Sequence, residues 1–88
     1  MQSIQSAVRN ALLRIEAARS ATGDSHGGFY AKVAAGLMTR PLKIGPRAAA
    51  IPSYEVSAIN AARIRGADEV EIKALVQRLH AERAQAGA

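Results

Sequence analysis

The sequence predicts an α+β domain, mostly α: two short helices joined by a tight turn, a short two-stranded β-ribbon, a third helix and an extra C-terminal helix. Three observations predict it. Two short stretches of helical character are separated by Thr22-Gly23-Asp24-Ser25 and closed by Gly36, the arrangement of a helix-turn-helix. Leu42-Lys43-Ile44 alternates apolar and basic residues before Gly45-Pro46-Arg47, as a half-buried strand running into a turn does. Ile72, Leu75, Val76 and Leu79 recur along one side of a helix.

With 88 residues, 49% of them apolar, the chain has length for one small domain with a modest core and not for two. The expected division is an N-terminal extension over residues 1–11, the helix-turn-helix and ribbon over 12–65, and a C-terminal helix and tail over 66–88. There is no Cys, and His26 and His80 lie too far apart in sequence for a local metal motif. No metal and no cofactor is expected. No apolar run approaches the ~20 residues of a membrane span. Met1-Gln2-Ser3-Ile4-Gln5-Ser6 also lacks the apolar stretch of a secretory signal. A cytoplasmic protein without membrane contact is expected. It is not expected to be an enzyme, because no Ser, His and acid grouping or phosphate-binding loop is visible and a chain this small rarely shapes a deep pocket.

Taken in order, Ile4, Val8 and Leu12 recur every four residues and suit a helix or a frayed start. Leu12-Leu13-Arg14-Ile15 reads equally well as part of that helix or as a short extended lead-in. Residues 16–21 are rich in Ala and begin on Glu16, which favours a first helix. Gly23 tolerates the left-handed conformation that ends a helix, and Ser25 can accept a hydrogen bond from the first free amides of the next. In that second helix Phe29 and Val33 face inward, with Leu37 on the same side beyond the break at Gly36, leaving Tyr30, Ala31 and Ala34 outward. Tyr30 suits either a cap on a small core or an outward contact.

In the ribbon, Leu42 and Ile44 point inward and residues 48–51 form the return strand. Pro41 and Pro46 lack backbone donors and so fit an edge strand and a turn tip. Ser53 caps the third helix, with Glu55 in its first turn, and Val56, Ile59 and Ala62 or Arg63 mark the inner stripe. After Gly66, Asp68 and Glu71 have the spacing of a reciprocal cap for the last helix. Its apolar stripe packs on the core or serves a neighbouring subunit, and residues 81–88, small and polar, read as frayed.

Charge is unevenly placed. Residues 1–67 carry nine basic and three acidic side chains, residues 68–88 three basic and four acidic. Between Asp24 and Glu55 there is no carboxylate, yet Lys32, Arg40, Lys43 and Arg47 all fall there. Such a field attracts phosphate before any specific contact forms. The plain alternative is solvated, solubilising charge. The near-neutral last helix suits protein contact better than nucleic acid.

Leu12-Leu13-Arg14-Ile15, Thr22-Gly23, Ser25, Phe29-Tyr30, Gly36, Arg40-Pro41-Leu42-Lys43-Ile44-Gly45-Pro46-Arg47 and Glu55-Val56 with Ile59 resemble, in order and spacing, a known pattern. It is that of the AlpA-type prophage regulators and related excisionases, which share a MerR-like winged helix-turn-helix. The resemblance runs over residues 12–64 without insertion and is strongest in the wing. It implies binding of double-stranded DNA, with the second helix in the major groove, the wing on the adjacent backbone or in the minor groove, and no catalytic residues. On that pattern Ser25, His26 and Tyr30 fall where the second helix meets DNA, and Arg47 falls at the wing tip. Lys32, Arg40 and Lys43 complete the expected DNA-binding set. Where the family carries bulkier polar residues this chain has Gly27-Gly28, and Ile51 and Ile59 stand where the family carries tryptophan.

Base readout needs long side chains, typically Arg on guanine or Asn and Gln on adenine. Here the outward face offers Gly27, Ala31 and Ala34. The expectation is modest base specificity per subunit, supplemented by wing contacts, DNA shape and self-association of adjacent copies on DNA. Arg47, beside Pro46, is the candidate for minor-groove insertion. The leading expected function is that of an excisionase, or recombination directionality factor, which bends attachment-site DNA and directs an integrase, a tyrosine recombinase, toward excision of a mobile element. The alternative is a transcriptional regulator of a promoter on such an element. A protein-interaction module built on the C-terminal stripe is a third reading.

Overall fold

The computed structural model describes residues 11–86; the expectations for Ile4 and Val8 lie outside them. The elements are β1 (Leu12–Arg14), α1 (Ile15–Thr22), α2 (His26–Ala35), β2 (Leu42–Gly45), β3 (Ala48–Pro52), α3 (Ser53–Ile64) and α4 (Glu69–Glu82), followed by a 3₁₀ turn at Arg83–Gln85. Four helices and a small antiparallel sheet of order β1-β3-β2 make a compact, mostly helical α+β domain.

Local chemistry sets the helix ends. Gly23 and Gly36 adopt φ of 77° and 78°, a left-handed conformation that side-chain-bearing residues rarely adopt. Each ends its helix with a backbone clasp: Asp24 N–H donates to the Arg19 carbonyl at 2.9 Å, and Leu37 N–H to the Lys32 carbonyl at 2.8 Å. At the start of α2 the Ser25 hydroxyl accepts from Gly28 N–H at 3.0 Å. The Asp68 and Glu71 side chains cap α4 reciprocally, as their spacing predicts.

The sheet departs from the expected two-stranded ribbon. Of the two conformations open to Leu12-Leu13-Arg14, the extended one is adopted, and β1 pairs with β3 by setting Leu13 opposite Ile51 and Arg14 opposite Ala50. β3 therefore becomes the central strand of three. Pro41 lies just before edge strand β2, and Pro46 lies in the turn. Ile44 does not point inward as simple alternation expects. Lys43 pairs with Ala49 and Gly45 with Ala48, so a bulge takes Ile44 out of the ladder and leaves it 44% exposed. One extra residue on one strand resets which face a side chain occupies.

The core gathers Ala18, Phe29, Met38, Ile51, Val56, Ile59, Ala62, Ile72, Leu75, Val76 and Leu79. Ile51 and Ile59, the two positions where the resembled family carries tryptophan, are both fully buried. The third position of the α3 stripe falls to Ala62 and not to Arg63. The α4 stripe packs on this same core rather than standing free for a neighbour. That packing supplies most of the stability of so short a helix, since propensity alone is marginal.

Two expectations around α3 and the tail are corrected. Ser53 is not the cap of α3: it is the first helical residue, behind Pro52, and it is buried while its N–H donates to the Ala11 carbonyl at 2.8 Å. Glu55 stands in the first turn of α3 as expected, and there it is fully buried. Of the tail expected to fray over 81–88, residues 87–88 lie outside the described residues and 81–86 are not simply frayed: the helix runs to Glu82, and Arg83 reaches back across the domain. Its Nε and Nη2 donate to the two Glu55 carboxylate oxygens at 2.8 and 2.7 Å, and Nη2 also donates to the Arg40 carbonyl at 2.7 Å. The sequence places these partners 28 and 43 residues apart, so only the folded chain introduces them.

Candidate nucleic-acid interface

The site forms where the N-terminal half of α2 meets the β2–β3 turn. His26 and Tyr30 stand one helical turn apart, with ring centroids 5.1 Å from each other. The Tyr30 and Phe29 rings also meet in a T-shaped contact, their centroids 5.7 Å apart. Phe29 is fully buried and Tyr30 is 40% exposed, so one ring anchors the helix and the next is held at the surface. Tyr30 thus both leans on the core and presents outward, and the two readings of it are compatible.

His26 and Tyr30 form one wall of a shallow groove of about 280 Å³, whose other members are Arg14, Ile15, Glu16, Arg47 and Ala49. Three predicted residues, His26, Tyr30 and Arg47, are therefore brought together across α2 and the turn. Arg14 is the residue that sequence reasoning missed. The signal was present in the extended reading of Leu12-Leu13-Arg14: strand alternation buries Leu13 beside Ile51 and turns Arg14 outward. Among the described residues neither Arg14 nor Arg47 has an ion-pair partner. The one carboxylate at the groove, Glu16, is bound by Arg19 at 2.8 and 3.1 Å. That hydrogen bond, with the Arg19 charge, holds the Glu16 carboxyl below its ordinary range. The groove thus presents two guanidiniums without an ion-pair partner among the described residues, an imidazole and a phenol.

The small-residue face of α2 flanks it. Gly27, Ala31 and Ala34 are all exposed, and a Cβ placed on Gly27 would have nothing within 4 Å. Because α2 starts at His26, Gly27-Gly28 sits inside the first turn and the helix does not begin after it. A Cβ on Gly28 would stand 3.0 Å from the Ser25 hydroxyl oxygen, so the cap and the absence of a side chain there go together.

The remaining predicted residues lie elsewhere. Ser25 uses its hydroxyl to cap α2. Lys32 is not a free cation on the outward face, because its ammonium pairs with Asp24. Burial pushes the Asp24 carboxyl up, but hydrogen bonds from Lys32 and Thr22 and the charges of Lys32 and Arg63 outweigh it and hold the group below its ordinary range. Lys43 is exposed on edge strand β2, outside the groove. Arg40 precedes β2 and belongs to the other end of α2. Its N–H donates to His80 Nε2 at 3.0 Å, and its side chain borders a second groove between α2 and α4.

Among the described residues no group of three or more His, Asp or Glu stands placed to hold a metal ion, and no helix is long and apolar enough to cross a membrane. No protein-family model, no curated protein and no solved structure matches the chain.

Proposed function

We propose that the chain is a small DNA-binding protein of the winged helix-turn-helix class, with α2 as the groove-entering helix and the β2–β3 turn as the wing. Within that class it acts as a recombination directionality factor: copies bind side by side at an attachment site, bend the duplex and direct an integrase toward excision. One observation carries the reading. The guanidiniums of Arg14 and Arg47, without ion-pair partners among the described residues, converge with His26 and Tyr30 at the N-terminal half of α2, while the adjoining helix face bears only Gly27, Ala31 and Ala34. Cations at the rim neutralise phosphates. A bare helix face approaches DNA closely and reads few base edges, so selectivity falls to groove shape and deformability. Arg47 on the turn suits a narrowed minor groove, where negative potential is concentrated. That combination fits an architectural role better than single-site repression.

Gel mobility and bending measurements on attachment-site duplexes test it, with successive shifted, bent complexes as the expected result. Arg14→Ala and Arg47→Ala should each weaken binding and lower the slope of log affinity against log salt by about 0.9. A single unbent complex, or no binding at low salt, refutes the reading. An excision assay with integrase, run with and without the protein, separates this role from promoter regulation by the same fold.

A further inference from the structure

A second groove, of about 320 Å³, lies at the other end of α2, between its last turn and α4, with Gly36, Arg40, Lys73, Gln77 and His80 on its walls. Among the described residues its ionisable members are Arg40, Lys73 and His80, and no carboxylate borders it. The Lys73 stem lies across the end of α2, its Cγ 3.9 Å from where a Gly36 Cβ would be. Its ammonium is not needed to cap α2: the Lys32 and Val33 carbonyls are already taken by Leu37 and Gly36 N–H at 2.8 and 3.2 Å. Among the described residues neither Lys73 nor the Arg40 side chain has an ion-pair partner. His80 accepts the Arg40 N–H and so fixes the backbone from which the Arg40 side chain extends.

We propose that this groove is a second phosphate-binding flank of the DNA interface, with Lys73 and Arg40 holding the backbone of the strand opposite the one the wing meets. The proposal rests on the DNA-binding reading above and extends it to α4, a near-neutral helix whose composition points toward protein contact. Geometry supports it. A ten-residue helix such as α2 is about 15 Å long, and the major groove is about 12 Å wide. A helix that enters with its N-terminal half therefore leaves its last turn near the groove rim, where phosphates stand. Lys73 and Arg40 occupy that turn's flank, as Arg14 and Arg47 occupy the flank of the first.

Fluorescence anisotropy of the full chain on a labelled duplex, across a fourfold range of salt, tests it with Lys73→Ala, Lys73→Glu and Lys73→Arg. For each lost phosphate contact the slope of log affinity against log salt falls by about 0.9, so Lys73→Ala should lose about 3.5-fold less affinity than wild type across that range. Lys73→Glu should bind more weakly than Lys73→Ala, and Lys73→Arg should keep the wild-type slope. Circular dichroism should be unchanged in all three, since Lys73 is exposed. Wild-type binding with an unchanged affinity and slope in Lys73→Ala overturns the proposal alone, and is the outcome if the groove takes an acidic protein segment instead. A wild type that does not bind duplex DNA at all overturns the DNA-binding reading itself. A Lys73→Ala variant that changes sequence preference rather than salt slope overturns the phosphate assignment.

Discussion

Replacing Arg83 with Ala should strip a buried carboxylate of its partner and cost this domain about 3 kcal/mol. Glu55 is fully buried, and both of its carboxylate oxygens accept from the Arg83 guanidinium at 2.8 and 2.7 Å. The same guanidinium holds the Arg40 carbonyl at 2.7 Å. Removing one partner of a buried pair strands the other charge in a low-dielectric interior, at a cost of ~3–5 kcal/mol. The Arg83 side chain is 16% exposed, so water reaches one end of the pair and the lower figure, about 3 kcal/mol, is the one to expect. A chain of 88 residues has a total stability of roughly 4–13 kcal/mol. The loss is thus between about a fifth and three quarters of the whole, and should lower Tm by about 12 °C or more at this size.

Urea unfolding followed by far-ultraviolet circular dichroism measures it. Arg78→Ala serves as the control: it breaks only the exposed Arg78–Glu82 pair, 3.9 Å apart with side chains 67% and 51% exposed, and should leave the midpoint unchanged. Replacing both Glu55 and Arg83 with Leu should recover most of the lost stability, because an apolar pair of similar volume strands no charge. An Arg83→Ala variant within about 1 kcal/mol of wild type would refute the reasoning, since a solvated surface pair contributes no more than that.

Two further outcomes are expected. Gly27→Ala should stabilise the fold by about 0.5–1 kcal/mol in thermal melts, because Gly27 sits in a helix with open space around a new Cβ. The same variant should lower DNA affinity if the bare face of α2 approaches the duplex closely, and unchanged affinity would count against that approach. His80 is held below its ordinary value of 6.5 by burial first and then by the Arg40 and Arg83 charges, with Glu55 opposing them. Its neutral ring accepts the Arg40 N–H, so its contribution to stability is whole above pH 6.5 and is lost as the pH falls through the lower folded value. Urea midpoints should therefore drop between pH 7.5 and pH 5 in the wild type and drop less in His80→Gln; parallel pH profiles would show that His80 is not the titrating group.

What could be read from the sequence was what local chemistry decides. Gly23, Gly36, Ser25 and the Asp68 and Glu71 pair act within a few residues of themselves, and each ends or starts a helix as expected. The inward stripes of α2, α3 and α4 follow from helical spacing and were equally visible. What was not legible depends on which distant segments meet. The third strand needed β3 to arrive beside residues 12–14, and until it did, extended and helical conformations were equally open to them. Arg14 joined the candidate site only through that pairing. The bulge at Ile44 is a register event between two strands, and alternation along one strand cannot foresee it. Lys32 looked like a free cation in an acid-free stretch because its partner, Asp24, lies just outside that stretch.

The same pairings give the charge pattern its meaning. Residues 1–67 hold three carboxylates, Glu16, Asp24 and Glu55, and each is engaged by a cation that lines neither groove: Arg19, Lys32 and Arg83. Arg83 is supplied by the C-terminal segment, so the near-neutral end of the chain neutralises the one carboxylate buried within the basic part. Arg14, Arg40, Lys43 and Arg47 are thereby left without ion-pair partners among the described residues. Unpaired surface cations gain the most from meeting phosphate, since no internal salt bridge has to break first. The two ends of α2 draw their cations from β1, the β2–β3 turn, the segment before β2 and α4, so neither flank exists until the whole domain has closed. Arg83 and His80 grip the Arg40 carbonyl and N–H from the C-terminal side, so if the chain binds DNA as proposed, loosening either one should weaken the contact at the far end of α2 before it disturbs the β2–β3 turn.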